Sequence, residues 1–192
     1  MYFKKLIGQK CFLSPIDVND AEKFTEWVND LEVTVNLQLY QHAINVDNER
    51  VILGDLSKDH NYSIIDMKTD ELIGNCGLFG IDNLNQNAEV GIFIGNKKYW
   101  NKGYGTEALT LLIDYGFKAL NLYNIQLRVY GYNDRAKRSY EKVGFRQIGA
   151  RRKALYRNME RHDIIFMDIL VDEFYEKHKN LSSVPESMRR QA

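Results

Sequence analysis

The stretch Tyr99-Trp-Asn-Lys-Gly-Tyr-Gly-Thr-Glu-Ala108 sets two closely spaced glycines and a lysine at the head of a helical pattern. Gly103 and Gly105 let the backbone turn sharply and come close to a ligand. The helix expected to follow aims its unpaired N–H groups, and the positive end of its dipole, back at that loop. Such a site suits a pyrophosphate, and Lys102 adds a positive charge beside it. The same glycines would serve equally well in a tight connection that binds nothing. The pattern is not a P-loop, since it lacks Gly-Lys-Ser/Thr, and not a dinucleotide fingerprint, since it lacks the third glycine. A second block follows further along, Asn133-Asp-Arg-Ala-Lys-Arg-Ser-Tyr-Glu-Lys-Val-Gly-Phe145.

The elements that must hold these blocks can be read from spacing. Cys11–Ile16 reads as a first strand. Asp17, with Asp20 three residues on, opens an amphipathic helix over Val18–Asp30, with Ala21, Phe24, Val28 and Leu31 along one face. Glu32–Asn45 reads as irregular, and Val46–Leu56 as a second helix. Asn61–Met67, Glu71–Ile81 and Ala88–Gly95 form a three-strand meander, its second turn marked by the Asn- and Asp-rich stretch Asp82–Asn87. Thr106–Leu120 is a strong helix, Asn124–Tyr130 a strand, and Asp134–Val143 a helix closed by Gly144. Phe145–Ala150 and Asp163–Val171 complete the sheet. The expectation is an α/β fold, a mixed and mostly antiparallel central sheet with helices on both faces. One domain over residues 1–175 is expected, followed by a polar tail over 176–192.

Together the two blocks closely resemble the GNAT superfamily of N-acetyltransferases, whose cofactor loop has the form Arg/Gln-x-x-Gly-x-Gly/Ala. The family's later signature, Asn-x-x-Ala-x-x-x-Tyr-x-x-x-Gly-Phe, is matched at Asn133, Ala136, Tyr140, Gly144 and Phe145. Trp100–Ala108, Asp114-Tyr-Gly-Phe117, Leu120-Asn-Leu-Tyr123 and His162-Asp163 resemble the branch of ribosomal-protein N-terminal and polyamine acetyltransferases. The resemblance covers about residues 10–172. Two departures stand out. Trp100 opens the loop where many members have Arg or Gln, and Ser14 stands where relatives usually carry Arg.

The resemblance implies transfer of acetyl from acetyl-CoA to a primary amine by direct attack on the thioester. It implies that a bulge splays the strand before the loop, so that Ile92, Phe93 and Ile94 offer main-chain contacts to pantetheine. Lys102, Gly103, Tyr104, Gly105 and Thr106 would hold the pyrophosphate, and Asn133 would hydrogen-bond the pantetheine arm. Tyr140 would lie near the sulfur and protonate the departing thiolate, whereas taken alone it reads as a packed helix aromatic. The acceptor must lose a proton before it attacks. A lysine-like amine of pKa ~10.4 is neutral in only about one molecule in 2,500 at pH 7, while an α-amino group of pKa ~7.7–8.0 is far closer to neutral. A carboxylate relaying that proton would help. Glu89, a charge inside an apolar strand, is the candidate; its alternative is an ion pair with Arg128. A protein N-terminus, a polyamine or another small amine all fit as acceptors. The rival reading is a non-catalytic module that binds CoA.

Composition narrows the field. Lys plus Arg and Asp plus Glu each number 26, so no basic excess points to nucleic acid. Two cysteines, Cys11 and Cys76, are too few for a disulfide framework, and with scattered His42, His60 and His178 they make no metal spacing. No apolar run reaches the roughly 18–20 residues of a membrane span, so the cytoplasm is the expected compartment and no membrane partner is expected. The family allows a homodimer. His162 and Asp163, as neighbours on a strand, face opposite ways and are expected to orient the last hairpin. Arg146, Arg151, Arg152, Lys153, Arg157 and Arg161 read as a basic strip on that hairpin, solvated or meeting an acidic ligand.

Overall fold

The computed structural model describes residues 1–179. Eight strands form one sheet: β1 (Leu6–Ile7), β2 (Cys11–Pro15), β3 (Asn61–Asp66), β4 (Leu72–Asp82), β5 (Asn87–Ile94), β6 (Asn124–Tyr130), β7 (Arg146–Arg157) and β8 (Glu160–Leu170). Their order is β1-β2-β3-β4-β5-β6-β8-β7, and every pairing is antiparallel except β5 with β6. The helices are α1 (Ala21–Val28), α2 (Leu31–Thr34), α3 (Val46–Leu56), α4 (Tyr104–Ala119), α5 (Asp134–Val143) and α6 (Val171–Lys177). The mixed α/β sheet expected from the sequence is therefore present. No helix among the described residues is long and apolar enough to cross a membrane.

Strand alternation sorts the apolar side chains into two cores, one on each face of the sheet. Leu13, Ile64, Ile73 and Val90 join α4 and Phe174 of α6 in one cluster. Their neighbours Phe12, Ile65 and Leu72 join Phe24 and Trp27 of α1 and Leu53 of α3 in the other. Phe12, Phe24 and Phe174 are fully buried, each worth about 1.5–3 kcal/mol relative to exposure. Helix α4 is apolar almost all round, with Leu109, Leu112 and Ile113 buried. That is why it can lie flat on the sheet and hold the loop before it.

Several elements differ from expectation for local reasons. The first helix begins later, because Asp17 caps a 3-10 turn over Val18–Asp20 instead of the helix proper. Asp30 accepts from the Glu32 N–H and starts the short α2 inside the stretch expected to be irregular. Strand β1 was too short to signal itself. The last hairpin is longer than expected, and its register shifts between Arg151 and Leu155 absorb residues of positive φ such as Lys153. Residues after Leu170 turn into α6, whose Phe174 packs against Phe117 with ring centroids 5.5 Å apart. The expected polar tail thus starts inside α6, and its residues 180–192 lie outside the described residues.

Candidate active site

Strands β5 and β6 run parallel and stay paired only through Asn87↔Asn124, Ala88↔Ile125 and Glu89↔Gln126. Beyond that point they part. β5 continues on β4 alone, with Ile92, Phe93 and Ile94 opposite Cys76, Asn75 and Gly74. No register shift interrupts β5 there, so the two strands open into a V without the expected bulge in this segment; the irregularity lies between Phe79 and Asp82 of β4. The V opens a cavity of about 380 Å³. Its walls include Ile92, Phe93 and Ile94 from β5, Gly103 to Thr106 from the loop, and Asn133 and Tyr140 from α5.

The loop is held in place by interactions that leave its ligand side open. Gly103 has φ 86°, in the left-handed region, and is the N-cap of α4 without any side-chain cap bond. The first N–H groups of α4 therefore have no partner from its own helix. Glu107, in the first turn, could fill that role but does not: its carboxylate accepts the backbone N–H groups of Gln9 and Lys10, the latter at 2.9 Å. The Tyr104 hydroxyl donates to Asp66 at 2.6 Å, and this bond pushes its phenol pKa up to about 12. Trp100, the departure from the family loop, donates its indole N–H to the Ile94 carbonyl at 2.7 Å. That carbonyl is thereby engaged by the protein itself. The Arg135 guanidinium lies over the Trp100 ring, 4.0 Å from its centroid.

Much of the second block is the punctuation of α5. Asn133 Oδ1 accepts the Ala136 N–H at 3.1 Å, which caps the helix. Gly144, at φ 125°, ends it, and the N–H groups of Gly144 and Phe145 both donate to the Tyr140 carbonyl at 3.0 Å. Gly144 is also close-fitting, since a Cβ there would lie 2.9 Å from Ile169. These residues fix the direction of Tyr140, whose ring meets Phe145 edge-on at 6.1 Å. Burial pushes the Tyr140 phenol up to about 12, so it stays protonated through the neutral range. Ser139, its neighbour, shares a 2.8 Å hydrogen bond with Thr106 and ties α5 to the loop.

Two expected site residues sit apart from this cavity. Lys102 is exposed and is not among the lining residues. Glu89 lies outside the walls as well, and Arg128 holds its carboxylate at 2.8 Å, the ion pair weighed as its alternative. Sequence reading missed three cations that do line the cavity, Arg135, Arg138 and Lys142. Their spacing of three and four residues was the available signal, for it places them on one face of α5. The hairpin pair behaves as expected of an orienting device. Asp163 accepts the Lys153 N–H at 2.8 Å, while His162 packs on Tyr132 with ring centroids 4.8 Å apart. The basic strip is not one solvated face: Arg157 is only 5% exposed and donates to the Leu37 carbonyl at 3.1 Å. Leu37, with Val33 and Asn36, walls the other side of the cavity.

Comparison with known proteins agrees with this geometry. Residues 10–146 match the model of the acetyltransferase (GNAT) domain. The chain is 32% identical over 149 residues to the uncharacterized N-acetyltransferase p20 of Bacillus licheniformis, covering 75% of this chain and 83% of that one. It is 34% identical over 109 residues to spermidine N(1)-acetyltransferase of Escherichia coli K12, covering 57% and 58%. Among solved structures, spermidine N-acetyltransferase of Vibrio cholerae, in complex with CoA and spermine, superposes with a TM-score of 0.77 at 22% identity. That match covers 87% of this chain and 99% of the other. An open V in the sheet, an uncapped helix behind a glycine loop and a family model spanning both lead to one conclusion: the chain belongs to the GNAT acetyltransferase family.

Proposed function

We propose that this protein transfers acetyl from acetyl-CoA to a primary amine, by direct attack of the amine on the thioester. The observation that carries the reading is the V between β5 and β6, which leads from the N-terminus of α4 to Tyr140 in one cavity. Acetyl-CoA, when bound, supplies an electrophilic thioester carbonyl; the protein supplies position and protons. The backbone of Gly103, Tyr104, Gly105 and Thr106 receives the pyrophosphate at the helix N-terminus. Arg138 and Lys142, exposed at the rim, add charge that Lys102 alone would provide from further out. The free edge of Ile92 and Phe93 pairs with the amides of the pantetheine arm, and the Asn133 side-chain amide nitrogen donates to it.

Tyr140 donates the proton of its hydroxyl to the leaving sulfur. A phenol with a pKa near 12 is a weak acid in the ground state, yet it stabilises thiolate charge as that charge develops. Glu89 would take part only by relaying the amine proton, and an anion already paired with a guanidinium is a weakened base. Among acceptors, spermidine is the one that two of the similar proteins are named for, and the cavity walls from Val33 to Leu37 make the choice.

Acetyl-CoA should raise the melting temperature of the protein, and Gly103→Val should remove that rise by forcing a branched side chain into a φ of 86°. A panel of primary amines with acetyl-CoA, read as free thiol, should then yield at least one turned-over acceptor. An unchanged shift in a folded Gly103→Val protein overturns the cofactor site. Binding of acetyl-CoA without thiol release on any amine favours the non-catalytic CoA-binding module.

A further inference from the structure

A second cavity, of about 220 Å³, lies between α1, α3 and the sheet, and shares Leu37, Ile92 and Phe93 with the cofactor cavity. Two glycines face each other in the sheet beneath it. Gly77 of β4 pairs directly with Gly91 of β5, and both line the space. Phe24, Val28, Leu53 and Phe93 are among its mostly apolar walls, Gln38 and Asn75 are their uncharged polar members, and Ile52, 38% exposed, also lines it. A single charged side chain faces this apolar space, that of Glu49 on α3.

Glu49 is only 3% exposed. Its Oε2 is buried with no hydrogen-bond partner, and no ion pair to it is found among the described residues. A carboxylate so placed costs stability, because nothing replaces the water it has lost. Burial accordingly raises its pKa above the ordinary carboxylate range, with no opposing charge. A cation entering the cavity would satisfy the carboxylate, and the mostly apolar walls suit a hydrocarbon arm beside it.

We propose that Glu49 is the acceptor-binding carboxylate, seating a primary ammonium on a slim aliphatic arm within the cavity behind Ile92 and Phe93. The inference rests on the acetyltransferase reading and names its acceptor class: a small aliphatic amine carrying a further positive charge. The reacting amine meets the thioester at the shared wall, while Glu49 holds the charge at the far end. Glu49 acts by position; the proton of the reacting amine leaves by another route.

The test is calorimetry on the full chain preloaded with CoA, titrated with 1,4-diaminobutane and with 1,4-butanediol as its neutral counterpart. The parent should bind the diamine and not the diol. Glu49→Gln should weaken diamine binding at least tenfold and leave CoA binding unchanged. Gly91→Val gives an independent variant, filling the cavity from the sheet while Glu49 stays; a Cβ there already lies 3.0 Å from the Phe79 ring. It should also abolish diamine binding. A parent that binds diol and diamine alike, or a Glu49→Gln protein within twofold of the parent, overturns the assignment. Failure of CoA itself to bind the parent would instead overturn the acetyltransferase reading.

Discussion

The half of the cavity proposed to hold the cofactor and the half proposed to face the acceptor are built on different plans. From Ile92 to Phe145 the chain makes its own punctuation: Gly103 starts α4, Asn133 starts α5, Gly144 ends it, and Thr106 bonds to Ser139 across the gap. The opposite wall has local support too, with Asp30 capping α2 and the Leu37 N–H donating to the Thr34 carbonyl at 2.7 Å, but it also leans on distant groups. Its Val33–Tyr40 segment is held by groups from the other end of the chain, the Tyr132 hydroxyl on the Val35 carbonyl at 2.6 Å and Arg157 on the Leu37 carbonyl. Arg157 also lies over the Tyr40 ring, 4.5 Å from its centroid. A ligand common to a whole family can be held by backbone groups and local caps. A ligand that differs between members is bounded by side chains borrowed from distant elements, which can change without disturbing the first site.

Three substitutions probe that division. The largest effect belongs to the cofactor half. Tyr140→Phe keeps the ring packed on Phe145 and removes only the acid, so kcat should fall roughly 10²–10⁴-fold, the usual worth of positioned acid catalysis. Acetyl-CoA affinity and melting temperature should hardly move. Turnover at the parental rate with the true acceptor removes Tyr140 from the chemistry. In the parent, the phenol loses its proton as pH rises towards about 12, so this group should cause no alkaline loss of activity near pH 8 or 9.

Arg157→Ala tests the acceptor half. It leaves the Leu37 carbonyl without its charged donor and should cost about 1.5–3 kcal/mol of stability. If the halves are separable, KM for the amine should rise severalfold while the acetyl-CoA thermal shift stays at its parental size. A parallel loss of cofactor binding would show one cooperative site and would break the comparison. Glu89→Gln should have the smallest effect, a few-fold fall in kcat, because its carboxylate is already committed to Arg128. A fall as deep as that of Tyr140→Phe, recovering at higher pH, would restore it as the main proton relay.

The same division governs what could be read from sequence. Val46–Leu56, Asn124–Tyr130 and Asp134–Val143 have the boundaries expected, the two helices because Asn45 and Asn133 cap them and the strand because its residues alternate in burial. Ile92, Phe93, Ile94, Gly103 to Thr106, Asn133 and Tyr140 do meet in one cavity, as their local spacing suggested, whereas Lys102 does not line it. Glu49 was not named, although a signal existed. Val46, Glu49, Leu53 and Leu56 follow helical spacing, and a carboxylate interrupts an otherwise apolar face. Only the tertiary fold shows that no partner meets it. Arg157 was misread for the converse reason: a cation among cations looks solvated until the Leu37–Tyr40 segment folds over it. Helix α6 escaped because its anchors, Phe174 on Phe117 and the His178 ring on the Val143 carbonyl at 2.8 Å, lie far away in sequence.

Trp100 carries a consequence of another kind. The chain has two tryptophans, and the other, Trp27, is packed between Phe24 and Phe93 at 6% exposure, in the core against which Trp100 also lies. Trp100 forms part of the cavity wall, with a guanidinium over its face and its indole N–H on the Ile94 carbonyl of β5. Indole emission responds to the polarity and charge around the ring, so the two residues divide the optical signal between them. Trp100 would report events at the mouth of the V directly, and Trp27 only through its contact with Phe93. The substitution that departs from the family loop thus gives this protein a built-in fluorophore at the place proposed for its donor.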